Sequence, residues 1–209
     1  MSTQGQEAII YGQGNLLPQI KELISLQKEN FSIIGIADDF SSKEGIVTHH
    51  LEDLLNLKSK TAVFLSIGYS DLEARYDLIL KLRENSFLFF PNLIHPQAAI
   101  SSSVQLGEGN IVLPNTTLDT EVKIGCFNYL DHNVGISHHS IVGDNNFICL
   151  GTMIGGKAKI GHHNFIGMQS TLFNESELES NSYLAARSIV REKYKESIKI
   201  FPDLKQSIV

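Results

Sequence analysis

The sequence predicts an α/β plus all-β chain: a small parallel α/β domain over residues 1–92, a parallel β-helix over 93–192 and a tail over 193–209. Three observations carry this. Seventeen aliphatic residues recur at a spacing of six without a break, from Ile94, Ile100, Leu106 and Val112 on to Leu184 and Val190. A helix drifts out of such a register and an ordinary strand alternates by two, so each hexad reads as one short strand and one corner. Every third hexad shares a finer pattern, so Gly107, Gly125, Gly143 and Gly161 stack, as do Asn110, Asn128, Asn146 and Asn164, and Ile111, Tyr129, Phe147 and Phe165. A period of 18 means three strands per coil and a triangular prism. Before Ile94 the hexads vanish, and strand-like runs alternate with helix-like ones.

In chain order, Glu7–Tyr11 is an apolar strand followed by Gly12-Gln13-Gly14-Asn15, a tight turn into a helix over Leu16–Glu29. Pro18 is tolerated there because it lies in the first turn. Phe31–Ala37 is a second strand ending at Asp38-Asp39, and His50–Leu57 a short helix. Thr61–Ile67 is a third strand closed by Gly68-Tyr69-Ser70; Asp71–Glu84 is a helix with an acid near its positive end, and Phe87–Phe90 a last short strand. Strand–helix alternation implies a small parallel sheet with its ligand crevice beyond the strand C-termini. Gly12, Gly14, Asp38, Asp39, Gly68 and Tyr69 all fall at that edge, and are the candidate substrate-binding residues. Gly12-Gln13-Gly14 lacks the third glycine of a dinucleotide fingerprint, so NAD binding is not implied. A carboxylate after the second strand can accept from ribose hydroxyls or a base N–H, though a solvated turn reads equally from the same residues.

In the prism, coils about 4.8 Å apart give about five coils. Asn ladders share amide hydrogen bonds between coils and stacked aromatics fill space, so both ladders read as structural. Cys126 and Cys149 occupy different hexad positions, which implies neither a disulfide nor a metal motif. A net charge of −6 with scattered basic residues argues against nucleic acid as a partner. The polar start, Met1 to Glu7, has no signal-peptide core, and no run of 18 apolar residues suggests a membrane span. The expectation is a soluble cytoplasmic protein.

Three further runs occur together: Asp38-Asp39-Phe40, Asn92-Leu93-Ile94-His95 and His138 through Ile141-Val142-Gly143-Asp144. With them, nearly the whole chain to about Val190 resembles the bacterial nucleotide-amino-sugar N-acetyltransferases and sialic acid O-acetyltransferases. That resemblance implies a Rossmann-like first domain holding a nucleotide-sugar, a left-handed β-helix, and acetyl-CoA lying between neighbours in a homotrimer. It supplies the hand, which periodicity does not; the usual crossover preference is right-handed.

Acetyl transfer needs a base titrating near neutrality, a donor for the developing oxyanion and close approach of the thioester. His138 is the candidate base: it stands at an outward corner and matches the family's catalytic histidine. Gly156, 18 residues on, falls at the same corner in the only Gly-Gly pair of the repeat, Gly155-Gly156. It offers an N–H and no Cβ to hinder a thioester, and in the related enzymes a glycine there serves the acyl oxygen. Lys157 and Lys159 are candidates for the CoA phosphates, against the plain alternative of solvated corners. There are departures from the family. His139 stands where an acidic residue follows the catalytic histidine, leaving His139, Asp131 or Asp144 to orient or support the ring. Phe147 stands where a second histidine lies nine residues downstream. The closing Gly-x-Pro-Ala-type turn is absent.

The first reading is therefore acetyl-CoA-dependent N-acetylation of a nucleotide-linked amino sugar, with no metal. Its alternatives are O-acetylation of a sialic-acid-type sugar, a non-catalytic nucleotide-sugar-binding protein, and a zinc lyase of carbonic anhydrase type. The last needs three convergent imidazoles, whereas His132 and His138 fall at different corners, and His162 stacks on Asp144 at another edge.

Overall fold

The computed structural model describes residues 5–39 and 48–201. Residues 1–4, Phe40 of the Asp-Asp-Phe run and the tail from Pro202 lie outside the described residues. The chain divides into two compact units. One is built on residues up to Pro96 with Glu108–Asn110, the other on Gln97–Gly107 and the chain from Ile111 onward.

The first unit alternates β1 (Gln6–Tyr11), α1 (Leu17–Ser25), β2 (Phe31–Ala37), α2 (Leu51–Leu55), β3 (Thr61–Leu65), α3 (Leu72–Arg83) and β4 (Leu88–Phe89). The strands form one parallel sheet in the order β2-β1-β3-β4. Central β1 and β3 are buried across both faces over Ala8–Tyr11 and Thr61–Leu65, which is why they read as unbroken apolar runs rather than alternating ones. Helix α1 opens with Pro18 in its first turn and buries Ile20, Leu23 and Ile24. It stops at Ser25, short of the predicted Glu29, where the Gln27 side chain donates back to the Leu23 carbonyl at 2.6 Å and closes the helix end. Helix α3 is capped by Asp71, which accepts from the Ala74 N–H at 2.8 Å, and ends with Lys81 and Arg83, both signs matching the dipole.

The second unit is a parallel β-solenoid. Two-residue strands stack on three faces, in sheets of five, six and seven strands, about six turns in all rather than the five expected. The extra rung comes partly from Lys199–Ile200, which pairs with Tyr183–Leu184 at an offset of 16, not 18, so the hexad count misses it. Of the spaced aliphatics, every one from Val112 to Val190 is buried. The Asn ladder is hydrogen-bonded as expected: Asn146 donates its N–H and side-chain amide to Asn128 Oδ1, both at 2.9 Å, and Asn164 repeats this on Asn146. The ring stack runs from Tyr129 through Phe147 and Phe165 and continues to Tyr183.

One feature of the corners was not foreseen. Every sixth residue from Asn115 to Arg187 has a positive φ, yet of these Gly151 alone is glycine; the others hold 55° to 63° as Asn, Glu, Phe, His, Lys, Gln or Arg. The stacked glycines lie elsewhere and answer to proximity. A Cβ on Gly143 would sit 2.7 Å from the Gly161 carbonyl oxygen one coil on. No helix among the described residues is long and apolar enough to cross a membrane.

Candidate active site

Along one corner stack of the solenoid, a side chain on one coil accepts the backbone N–H of the residue one coil before. Asp144 takes the N–H of Cys126 at 2.7 Å, His162 Nδ1 that of Asp144 at 2.9 Å, and Ser180 Oγ that of His162 at 2.9 Å. This confirms His162 above Asp144, on a corner stack separate from that of His138. In the other stack Thr120, His138, Gly156 and Asn174 succeed one another at intervals of 18. Gly156 has no side chain with which to cap the His138 N–H, and the His138 imidazole occupies the space: a Cβ on Gly156 would lie 2.7 Å from both His138 Cε1 and Nε2.

His138 and His139 are both exposed, and their Nδ1 atoms are 3.2 Å apart, with the rings nearly perpendicular at 85°. One nitrogen must bear the hydrogen and the other the lone pair. With His138 Nδ1–H donating, His138 Nε2 is left as the bare acceptor on the ring edge that faces Gly156. His139 thus stands as the ring partner where the resemblance leads one to expect a carboxylate. Asp131 and Asp144, the other two candidates, are engaged elsewhere. Asp131 binds His132 Nδ1 at 2.7 Å, and Asp144 caps Cys126.

The Gly156 N–H, which the sequence reading offers to an acyl oxygen, is donated to Asn174 Oδ1 at 2.9 Å. A Cβ on neighbouring Gly155 would collide with that same carboxamide oxygen. The Gly-Gly pair therefore makes room for two side chains, His138 from the coil before and Asn174 from the coil after. Asn174 is a residue the sequence reading missed, although the period of 18 from His138 and Gly156 points to it. Beside it, on one flat face, lies a groove of about 630 Å³ lined by Ser137, Met153, Gly155, Phe173, Asn174 and Arg191. Its apolar floor includes half-exposed Met153 and Phe173, and the Arg191 guanidinium stands 5.2 Å from the Phe173 ring centre.

Lys157 and Lys159 point to glutamates one coil on, Lys157 to Glu175 at 3.9 Å and Lys159 to Glu177 at 3.5 Å. Lys193 adds a hydrogen bond to Glu177 at 3.1 Å, the largest of the influences that pull that carboxyl below its ordinary range. Phe147 is nearly buried in the ring stack, 4.2 Å from Tyr129, so it serves the solenoid and not the corner. Both cysteines are free, and burial pushes the Cys149 thiol up to about 12. Among the described residues no group of three His, Cys, Asp or Glu could hold a metal ion.

In the first unit, the six predicted residues do gather at the C-terminal edge of the sheet, but the two acids are engaged internally. Asp38 is buried and accepts the Gln13 N–H at 2.9 Å, pinning the turn after β1. Asp39 accepts the Leu51 N–H at 3.2 Å at the start of α2, and also the Tyr11 hydroxyl. Burial first, and then Asp39, hold the Tyr11 phenol protonated well above its ordinary range. Gly12 has φ of 105°, and a Cβ there would meet the Ser66 carbonyl oxygen at 2.8 Å, so this glycine is demanded by the turn. Gly14 and Gly68 are not crowded in this way, and Tyr69 is half-exposed. Sequence reasoning passed over Gln13 and Ser66. The Gln13 carboxamide and Ser66 hydroxyl are buried at this edge with no hydrogen-bond partner among the described residues.

No protein-family model matches the sequence, and no curated protein matches it. Solved structures do. The acetyltransferase domain of PglB from Neisseria gonorrhoeae FA1090 superposes with a TM-score of 0.82 at 18% identity, over 93% of this chain and 96% of that one. The same domain in complex with acetyl coenzyme A gives 0.56 at 16%, over 89% and 94%. A histidine-to-alanine mutant of GDP-perosamine N-acetyl transferase from Caulobacter crescentus, in complex with CoA and GDP-perosamine, gives 0.70 at 21%, over 95% and 93%. At these identities the likeness is one of fold, and it runs nearly the full length of both chains.

Proposed function

We propose that this protein is an acetyl-CoA-dependent acetyltransferase that N-acetylates a nucleotide-linked amino sugar, with His138 as general base. The observation that carries the reading is the corner itself. An imidazole with its Nδ1 held by a second histidine is seated against a glycine that must stay bare to admit it. The fold likeness supports the reading, since the similar structures are of acetyltransferases, one in complex with acetyl coenzyme A and one, a GDP-perosamine N-acetyl transferase, in complex with CoA and GDP-perosamine. We also infer that the solenoid winds left-handed and that the protein is a homotrimer, both from the resemblance carried by the sequence motifs.

In this reading His138 Nε2 takes a proton from the acceptor amine as its nitrogen attacks the thioester carbon. The new C–N bond forms, the C–S bond breaks, and His138 returns its proton to the departing thiolate. His139 keeps the His138 ring in the tautomer that leaves Nε2 bare. The apolar floor of the groove at Met153 and Phe173 suits the pantetheine arm, and Arg191 offers a cation for its phosphates. Lys157 and Lys159 would have to leave Glu175 and Glu177 to do the same. At the edge of the first unit, the unsatisfied Gln13 amide and Ser66 hydroxyl suit a polar ligand such as a nucleotide.

The test is thiol release from acetyl-CoA over a panel of nucleotide-linked amino sugars, with the acetylated product identified by mass. Release with none of them contradicts the reading. A second reading, O-acetylation of a sugar without a nucleotide, draws support from the internal commitment of Asp38 and Asp39. Titration with free nucleotides separates the two, because only the first requires them to bind.

A further inference from the structure

We propose that the Asn174 carboxamide, rather than the Gly156 N–H, donates the hydrogen bond to the thioester carbonyl oxygen; this rests on the acetyl-transfer reading above. The Gly156 N–H is already satisfied by Asn174 Oδ1 at 2.9 Å. That contact settles which way the amide points, because an N–H can only be met by the oxygen. The Nδ2 group, with its two N–H donors, is then turned away from the Gly156 N–H on an exposed side chain, and Asn174 is one of the residues that line the groove. It meets no protein acceptor among the described residues. Gly155 is bare where a Cβ would strike the carboxamide, and Gly156 is bare where a Cβ would strike the His138 ring. Base and donor are thus seated on adjacent residues of one turn, one reaching it from each side.

The chemistry needs such a donor. As the acceptor nitrogen bonds to the thioester carbon, negative charge collects on the carbonyl oxygen until the C–S bond breaks and carries it off on the thiolate. A preorganised N–H stabilises that charge at no cost in reorganisation. The carboxamide accepts from Gly156 on its oxygen and donates from its nitrogen, so the two bonds reinforce one another. The alternative role for Asn174 is that of a plain cap, such as Asp144 and Ser180 provide on the other corner stack.

Asn174→Ser distinguishes the two, because a serine oxygen caps the His162 N–H at this place in the other stack and so preserves the cap while removing the amide. The measurements are kcat at saturating acceptor, the melting temperature, and the affinities for acetyl-CoA and for CoA. The proposal expects a loss of about 10²–10³ in kcat, an unchanged melting temperature, and weaker binding of acetyl-CoA with CoA binding unaffected. Asn174→Ala uncovers the Gly156 N–H; activity equal to or above wild type in that variant would return the donor role to Gly156 and overturn the proposal. So would a kcat loss in Asn174→Ser that only follows a fall in melting temperature. An active wild type beside an indifferent Asn174→Ser removes this proposal alone. A wild type that releases no thiol with any acceptor removes the transferase reading and this proposal with it.

Discussion

His138 and His139 are consecutive positions of one corner, and the second carries a φ of 60°. That geometry sets their Nδ1 atoms 3.2 Å apart, within hydrogen-bond reach. In the proposed reading His139 is a positioning residue for the His138 ring rather than a binding residue. His139→Ala is expected to lower kcat by less than loss of the base itself and to move the acidic limb of the pH–kcat profile. His139→Asp, which restores an acceptor, is expected to recover most of the rate. Superimposable pH profiles for wild type and His139→Ala would end this role. Gly156→Ala probes the other side of the ring. Its Cβ would enter within 2.7 Å of His138 Nε2, so the imidazole must swing away. The expected result is a fall of about 10² or more in kcat with acetyl-CoA still bound; crowding of the thioester alone would instead appear in KM.

At the scale of the corner turns and strands, much was legible. The spacing of six gave the prism, and the period of 18 placed Gly156 against His138 and His162 against Asp144. Strand–helix alternation located β1 to β4 to within a few residues, most clearly for β1 and β3, whose buried runs are uninterrupted. What escaped has physical reasons. The last rung at Lys199–Ile200 breaks the period. The turn residues in the left-handed region are polar, charged or aromatic and carry no glycine signal. That Asp38 and Asp39 accept the Gln13 and Leu51 N–H groups depends on backbone approaches that their sequence positions do not show. The corner conformation makes its own prediction at exposed Glu121, whose φ is 59°. Glu121→Val should destabilise the solenoid by about 1 kcal/mol or more, because a branched Cβ fits the left-handed region poorly. Glu121→Gly should cost nothing or stabilise. Urea unfolding of the two variants checks this, and equal stabilities would contradict it.

For the whole molecule, the solenoid presents half-exposed Met153, Phe173 and Ile189 near one another on the chain's six-stranded face. Such a surface favours covering by another copy, and closed threefold symmetry suits a three-sided prism. Light scattering is expected to give three times the mass of one chain, with activity falling as the protein is diluted to monomers; an active monomer would contradict the trimer. The central claim is acetyl transfer with His138 as base, and one measurement bears on it most directly. It is the rate of thiol release from acetyl-CoA at saturating nucleotide-linked amino sugar, compared between wild type and His138→Ala with their melting curves in hand. The account predicts turnover in the wild type and a loss of about 10²–10⁴ in kcat in the variant at an unchanged melting temperature. Full activity in His138→Ala, or no acceptor-dependent release in the wild type, would contradict it.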